Sequence, residues 1–368
     1  MLWNWQHQHW PHFSWDAAKL ASAEISFAEN VGISIGTTQH LDAASREALT
    51  IEIMSGDACD SSAIEGEILD RDSVQSSIRR QLGLGARRHA NPAEAGIAEM
   101  MVNLCQSLAS PLEHETMFAW HRMVMSGRRD LADIGRYRSH DDPTQIVSGP
   151  SHRQRVHFEA PPSARIAEEM DRFLAWFLET MPGGATPLPA VTRAGIAHIW
   201  FESLHPFEDG NGRIGRAIVE KALAQGLATP TLTAVAGTLL KHRKAYYQAL
   251  ETASRGLEIT GWLSWFANIV AEAQQRSLDW ITFILQKARL LARAQGHLNT
   301  RQEKALLRMF EAGPEGFTGG LSAKNYRSIT GALSATATRD LAGMVTIGVL
   351  QRTGERKAAR YSLRLDDA

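Results

Sequence analysis

The sequence is poor in cysteine: Cys59 and Cys105 are the two thiols in 368 residues. Two cysteines cannot supply a disulfide scaffold or a cysteine-rich zinc site. Both stand among apolar neighbours, so buried, reduced thiols are expected. Long apolar runs are missing too. No stretch approaches the roughly 18 residues of an ordinary transmembrane helix, and no membrane partner is expected. The opening Met1-Leu2-Trp3-Asn4-Trp5-Gln6-His7 has no basic segment followed by an apolar one. A secretory signal is therefore not expected, and a cytoplasmic location is. Neither sign of charge is in excess. Formal net charge is −1, from 39 basic and 40 acidic side chains, which argues against a generally basic nucleic-acid coat. Internal repeats and long low-complexity segments are also absent.

What remains is the composition of a folded globular chain, 44% hydrophobic and 21% charged. At about 100–200 residues per domain, two or three domains are expected. Four of the ten tryptophans, Trp3, Trp5, Trp10 and Trp15, fall in the first fifteen residues. His7, His9 and His12 are interleaved with them. A metal site is one reading, but no cysteine or carboxylate precedes Asp16 in this segment. Aromatic packing of the arm onto the body is the expectation.

Helical spacing dominates the centre of the chain. Ser14 is a candidate N-cap for a helix carrying Leu20, Ile25, Phe27 and Val31. Further helices are expected at about 41–64, 73–82, 92–108, 112–126, 162–180, 190–204, 211–224, 233–254 and 259–294. Residues 135–162 break the pattern. They hold Gly, Pro, Asp and Ser around two β-prone pieces, Gln145-Ile146-Val147 and Arg155-Val156-His157-Phe158, and read as a hairpin or flap. Beyond 298, a helix at 300–311 and another from Ser334 to Leu341 precede strand-like pieces at 349–352 and 360–363. Helix, turn, helix, hairpin is the order of a winged helix-turn-helix. The expected fold is mainly α, with a small β-hairpin flap and a C-terminal winged helix.

One stretch carries chemistry: His205-Pro206-Phe207-Glu208-Asp209-Gly210-Asn211-Gly212-Arg213-Ile214-Gly215-Arg216. Pro206 disfavours helix at His205, so a helix ending near Leu204 hands over to a loop. Gly210 and Gly212 allow tight bending and close approach of a ligand. A helix resumes near Asn211, and free amides at a helix start bind phosphate well. Arg213 and Arg216 share one face of its first turn. An imidazole, a carboxylate, a glycine-rich turn and two guanidiniums suit a metal-bound polyphosphate.

This stretch resembles the signature of the Fic family, His-Pro-Phe-x-Asp/Glu-Gly-Asn-Gly-Arg-x-x-Arg, at every defined position. The resemblance implies a Fic helical core that transfers AMP from ATP, with Mg²⁺, to a Tyr, Ser or Thr hydroxyl of a target protein. Pyrophosphate would leave. His205 would be the general base and Asp209 the Mg²⁺ ligand. Gly210, Asn211 and Gly212 would form the anion hole, while Arg213 and Arg216 would hold the outer phosphates. Phe207 would belong to this nucleotide-binding loop as its buried anchor, and Glu208 would face solvent. Relatives that transfer phosphate replace the second glycine by lysine, and Gly212 argues against that variant.

Upstream, Ser61-x-x-x-Glu65-Gly66 resembles the family's inhibitory motif. It implies that Glu65 pairs with Arg216 and displaces the ATP γ-phosphate, with Ser61 steadying the helix. In some relatives the same glutamate orients a water for removal of AMP, and that direction stays open. Gly135-Arg136-Tyr137-Arg138 resembles the family's lead-in to a flap that docks the target by strand addition, here through Gln145, Ile146, Val147 and Ser148. The Trp-rich start resembles a domain of unknown function that precedes Fic in bacterial proteins. The expected domains are 1–90 with the inhibitory motif, 91–296 as the Fic core, and 297–368 as the winged helix. A homodimer is expected, and self-modification stays open.

Residues 298–368 hold 11 basic and 7 acidic side chains, so they carry +4 and residues 1–297 carry −5. Arg352, Arg356, Lys357 and Arg360 could meet phosphates, but Arg339 on the candidate recognition helix has Asp340 beside it. Dimerisation or target docking is the preferred reading of this module. DNA binding, with the Fic core as a nucleotide sensor, is the alternative.

Overall fold

The computed structural model describes residues 2–39, 41–85, 88–148, 155–225, 233–314, 316–317 and 319–365. Its described residues form α1 (Ala21–Thr38), α2 (Ala43–Ile64), α3 (Arg71–Gln81), α4 (Pro92–Gln106), α5 (His114–Val124), β1 (Gln145–Ser148) and β2 (Arg155–Glu159). There follow α6 (Ser163–Glu179), α7 (Ala190–Leu204), α8 (Asn211–Ala224), α9 (Val235–Lys241), α10 (Arg243–Ala253) and α11 (Thr260–Ala294). The last elements are α12 (Thr300–Phe310), α13 (Ala323–Thr330), α14 (Ser334–Thr346), β3 (Leu350–Thr353) and β4 (Arg360–Leu363). The mainly α class with two small hairpins is as expected. The residues between β1 and β2, 149–154, lie outside the described ones. No helix among the described residues is long and apolar enough to cross a membrane.

The chain divides into two compact units, Met1–Ile33 with Thr50–Ser277, and Ser34–Leu49 with Leu278–Ala368. In the first, α7 is buried on nearly every face, which its run Ile196-Ala197-His198-Ile199-Trp200-Phe201 requires. It packs along α8, and α8 in turn meets α4 and α5. Trp120, Phe173, Phe177, Phe201, Phe207 and Phe266 are fully buried around this pair. Local signals set the ends. Asn91 and Glu94 exchange side-chain and backbone hydrogen bonds in a capping box, with Pro92 opening α4. The Asp70 carboxylate accepts from Ser73 N at 2.8 Å and opens α3.

Two expectations fail. Ser14 caps no helix. Its backbone is drawn into a parallel bridge with Glu258, where Ser14 N donates to Leu257 O and Ile259 N to Ser14 O, each at 2.9 Å. Asp16 instead caps a single 3-10 turn, and α1 begins at Ala21. The helix expected over 233–254 is two, α9 and α10, because His242 leaves helical geometry at φ −104°, ψ 24°. Cys59 and Cys105 are half-buried. Burial pushes their thiols up to about 11 and about 12, so both stay protonated.

The tryptophan arm packs onto the body. Trp10 stacks edge-on to Trp200, with centroids 6.0 Å apart, and donates from Nε1 to Glu169 at 2.9 Å. Trp3 meets Phe158 of β2 edge-on, and Trp5 Nε1 donates to Glu159 O at 2.7 Å. His7 turns to the Arg255 carbonyl at 3.2 Å.

In the second unit, α12, α13 and α14 enclose Leu306, Phe310, Leu321, Tyr326, Leu341 and Met344. Leu321, between α12 and α13, bridges to Tyr361 of β4. The hairpin β3–β4 runs antiparallel with Leu350 opposite Leu363.

Candidate active site

The α7–loop–α8 turn builds the centre. α7 closes on His205, which takes the left-handed region at φ 46°, ψ 57°, because Pro206 bars further helix. Gly210 also lies left-handed, at φ 80°, and serves as the N-cap of α8 with no side chain to occupy the amides. The amides of Asn211, Gly212 and Arg213 thus have no intrahelical acceptors, and Gly212 lines a cleft. The Asn211 side chain is spent on the loop itself. It accepts from Phe207 N at 2.9 Å and donates to Phe207 O at 2.8 Å. Phe207 is buried beneath the loop, stacked on His121 at 4.2 Å, and lies away from the cleft.

Arg138, from the Gly135–Arg138 lead-in, is buried and straps the loop. Its Nε donates to His205 O at 2.9 Å, its backbone N to Pro206 O at 3.0 Å, and Nη1 to Ser163 Oγ at 2.7 Å. Burial and the Arg138 charge together push the His205 imidazole down to about 4, so it is a free base at neutral pH. Its Nδ1 is buried without a partner among the described residues.

Asp209 is held between two guanidiniums, Arg128 at 2.6 Å and Arg213 at 3.8 Å. Burial raises its carboxyl, but the Arg128 hydrogen bond, the Gly210 amide and Arg213 outweigh it, and the group sits below its ordinary value. Glu208 does not face solvent freely. Its Oε2 accepts from Ala132 N at 2.9 Å and Asp133 N at 3.0 Å, tying the loop to segment 131–133.

The end of α2 reaches the start of α8. Glu65 Oε1 meets Arg216 Nη2 at 2.8 Å. Gly66, at φ 87°, turns the chain after α2. Ser61 acts on the same guanidinium: Arg216 Nε donates to its Oγ and Nη2 to its carbonyl, each at 2.8 Å. The hydrogen bond expected of Ser61 is therefore made to Arg216 of α8. Gly212 is small for a reason, since a Cβ there would collide with the Glu65 carboxylate. A carboxylate that the sequence reading passed over, Glu67, takes Arg213 Nη1 at 2.7 Å. Both guanidiniums of the signature are therefore held by the 65–67 turn.

A cleft of about 860 Å³ opens between the α7–α8 turn, the end of α2 and the flap. Glu65, His205 and Gly212 line it together with Ile146 and Val147 of the flap and Tyr247 of α10. The flap pairs Gln145 with Glu159 and Ser148 with Arg155, with a register shift between Ile146 and Val147. Ile146 and Val147 are each 39% exposed, large for aliphatic side chains beside a cleft. Glu202, three residues before His205, also lines it, and burial raises its carboxyl to about 7. Neither Arg128 nor Glu202 stood out in sequence, because Arg128 pairs with Asp209, 81 residues away, and Glu202 owes its raised carboxyl to burial in the fold.

Comparison with known proteins finds matches to two parts of the chain. Residues 111–223 match the Fic/DOC family, and residues 3–84 match a domain of unknown function, DUF4172. Protein adenylyltransferase Fic of Nematostella vectensis is 25% identical over 224 residues, covering 60% of this chain and 46% of that protein. The protein of that name from Culex quinquefasciatus is 29% identical over 161 residues, 42% of this chain and 29% of its own. The chain thus spans less than half the length of these relatives. A Fic family protein from Desulfovibrio desulfuricans G20 superimposes with a TM-score of 0.53 at 21% identity, over 93% of this chain and 95% of that one. That likeness speaks for the fold. The signature loop at 205–216 lies inside the segment that matches the Fic/DOC family.

Proposed function

We propose that this chain is a protein adenylyltransferase that transfers AMP from ATP to a hydroxyl side chain of a protein, and that Glu65 restrains it. The observation that carries the reading is that a neutral His205 and Gly212, at the start of α8, line one cleft, with Arg213 and Arg216 on the first turns of the same helix. The target hydroxyl oxygen attacks the α-phosphorus, the bond to the β-phosphate oxygen breaks, and pyrophosphate leaves. His205 takes the hydroxyl proton, a step worth about 10²–10⁴-fold. The α8 amides face the negative oxygens that gather at the phosphorus. Arg213 and Arg216 would hold the outer phosphates once the 65–67 turn releases them.

Mg²⁺ fits the donor set. No three His, Cys, Asp or Glu groups among the described residues cluster to hold a metal, but Asp209 presents an ionised carboxylate at the phosphate site. A single carboxylate is a usual protein share for a magnesium ion that takes its other oxygens from phosphates and water. When bound, the ion would offset charge on the phosphates. The edge of β1, with Ile146 and Val147 exposed, suits an extended target strand whose backbone it would pair.

Labelled ATP tests the reading. With label on the α-phosphate, Glu65→Gly should raise transfer to protein by about 5- to 150-fold, the usual range of a coupling between sites. His205→Ala should lower it by about 10²–10⁴-fold. No label on protein from the Glu65→Gly chain would overturn the transferase assignment. Label that appears equally with and without Glu65 would overturn the restraint alone.

A further inference from the structure

Asp340 weakens any nucleic-acid reading of the C-terminal unit in sequence, because it follows Arg339 on the exposed-looking helix. The structure turns it inward. Its carboxylate is 6% exposed and accepts from Arg301 Nε at 2.9 Å, Tyr326 OH at 3.0 Å and Asn299 Nδ2 at 3.3 Å. It is a tie between α12, α13 and α14. Helical spacing then sorts α14 cleanly. Ala337, Asp340, Leu341 and Met344 are buried, while Ser334, Ala335, Thr338, Arg339, Ala342 and Thr346 are exposed. The exposed stripe is made of short side chains, carries one cation and holds no carboxylate.

The order of elements around it is specific: α12, a bridging residue at Leu321, α13, α14, then β3 and β4, with Leu321 adding a third, one-residue strand against Tyr361. Exposed cations flank α14: Lys324 and Arg327 on α13, Arg352 on β3 and Arg356 at the hairpin turn. Neither these four nor Arg339 has a carboxylate within ion-pair distance among the described residues. Arg301 and Arg308, by contrast, are paired with Asp340 and Glu311. Glu355 is the acidic residue of the hairpin turn.

We propose that this unit is a winged helix that binds duplex DNA, with α14 in the major groove and the β3–β4 hairpin on the backbone. The groove, about 12 Å wide, admits a helix, and α14 with short exposed residues can lie close to base edges. Ala and Thr methyl groups suit thymine, and Arg339 can meet guanine or phosphate. The five unpaired cations supply the phosphate contacts that dominate affinity. The inference is independent of the AMP-transfer reading and uses none of its residues.

Fluorescence anisotropy of the full chain tests it, with a labelled mixed-sequence duplex of about 20 base pairs and the matching single strand. Binding should be micromolar at about 50 mM salt and weaken steeply by about 200 mM. Arg352→Ala with Arg356→Ala should reduce the salt slope by about 2, one unit per lost contact. Thr338→Glu puts a carboxylate on the exposed stripe and should lower affinity at least about tenfold, while the melting temperature stays put. Lack of duplex binding at the low salt would overturn the proposal. So would equal affinity for the single strand, or binding that neither variant changes. A dimer that Thr338→Glu disrupts, without duplex binding, would overturn it and give this face to a second copy of the chain.

Discussion

At the scale of single residues, the site is an ionic stalemate. Arg216 is almost wholly buried, and burial lowers its guanidinium, yet Glu65, Tyr246 and Glu202 outweigh that and hold it above its ordinary value. Glu65 remains 32% exposed, so its grip is reversible by comparison with a fully buried pair. Gly212 lies against this pair, which makes it a reporter. Gly212→Ala should cost about 1–3 kcal/mol, the usual range for overpacking, because the new methyl meets the Glu65 carboxylate. In a Glu65→Gly background most of that cost should vanish. Urea denaturation of the four chains of this cycle measures it, and an unchanged cost would mean that the methyl clashes with something else. Glu67 makes the parallel case at Arg213. Glu67→Ala should tighten nucleotide binding about fivefold, read by calorimetry with ATP in a His205→Ala chain. Unchanged affinity would show that Glu67 does not compete with phosphate.

At the scale of elements, α7 and α8 form the frame, and their bounds are those that the sequence implies. The reasons are local and strong: Pro206 ends one helix, and Gly210 opens the next. The Ser61–Glu65 motif is legible as spacing, but the contact of Ser61 with Arg216 is not, because that depends on how α2 meets α8. Ser14 failed for a similar reason. A capping residue competes there with a strand partner, Glu258, that lies far along the chain. The frame also carries a buried titrating pair. His198 of α7 is fully buried, and its Nε2 lies 2.7 Å from Tyr246 OH. Burial, with the Arg216 charge, pushes it down to about 3 from 6.5. The unfolded chain therefore takes up a proton below pH 6.5 that the folded chain refuses, and this histidine costs stability as pH falls. His198→Gln removes the titration and keeps a polar partner for Tyr246. Its stability relative to the parent should improve by about 1.4 kcal/mol per pH unit between pH 6 and 4. Parallel pH curves for the two chains would show that His198 does not stay neutral.

At the scale of the whole chain, a near-zero net charge conceals opposed parts, and a Trp-rich start conceals a strut. Charge can be divided by reading the sequence, but the task of the tryptophans cannot, because their partners on the body (Phe158, Glu159, Glu169 and Trp200) lie more than 150 residues away. Asn4 donates from its backbone to Ser254 O and from Nδ2 to Ser203 Oγ, each at 2.7 Å, so the arm reaches the last turn of α7. Trp3 packs on Phe158, Arg255 lies over its ring at 3.7 Å, and Trp5 bonds the carbonyl of Glu159. Glu159 pairs with Gln145, so Trp5 fixes the flap at its base. A flap that receives a target strand must be held still, since each main-chain bond to the target otherwise carries the cost of ordering it. Trp5→Phe keeps an aromatic ring but loses the indole donor and part of the ring's packing. Global stability should drop by at least about 1 kcal/mol, the net worth of one such hydrogen bond. ATP affinity should not change, because the bond lies away from the α8 amides. If the flap receives the target, KM for the protein substrate should rise several-fold in a Glu65→Gly background while kcat stays within about twofold. Equal losses in ATP binding would instead mean that the arm supports the whole cleft, and unchanged kinetics would remove the flap from target docking.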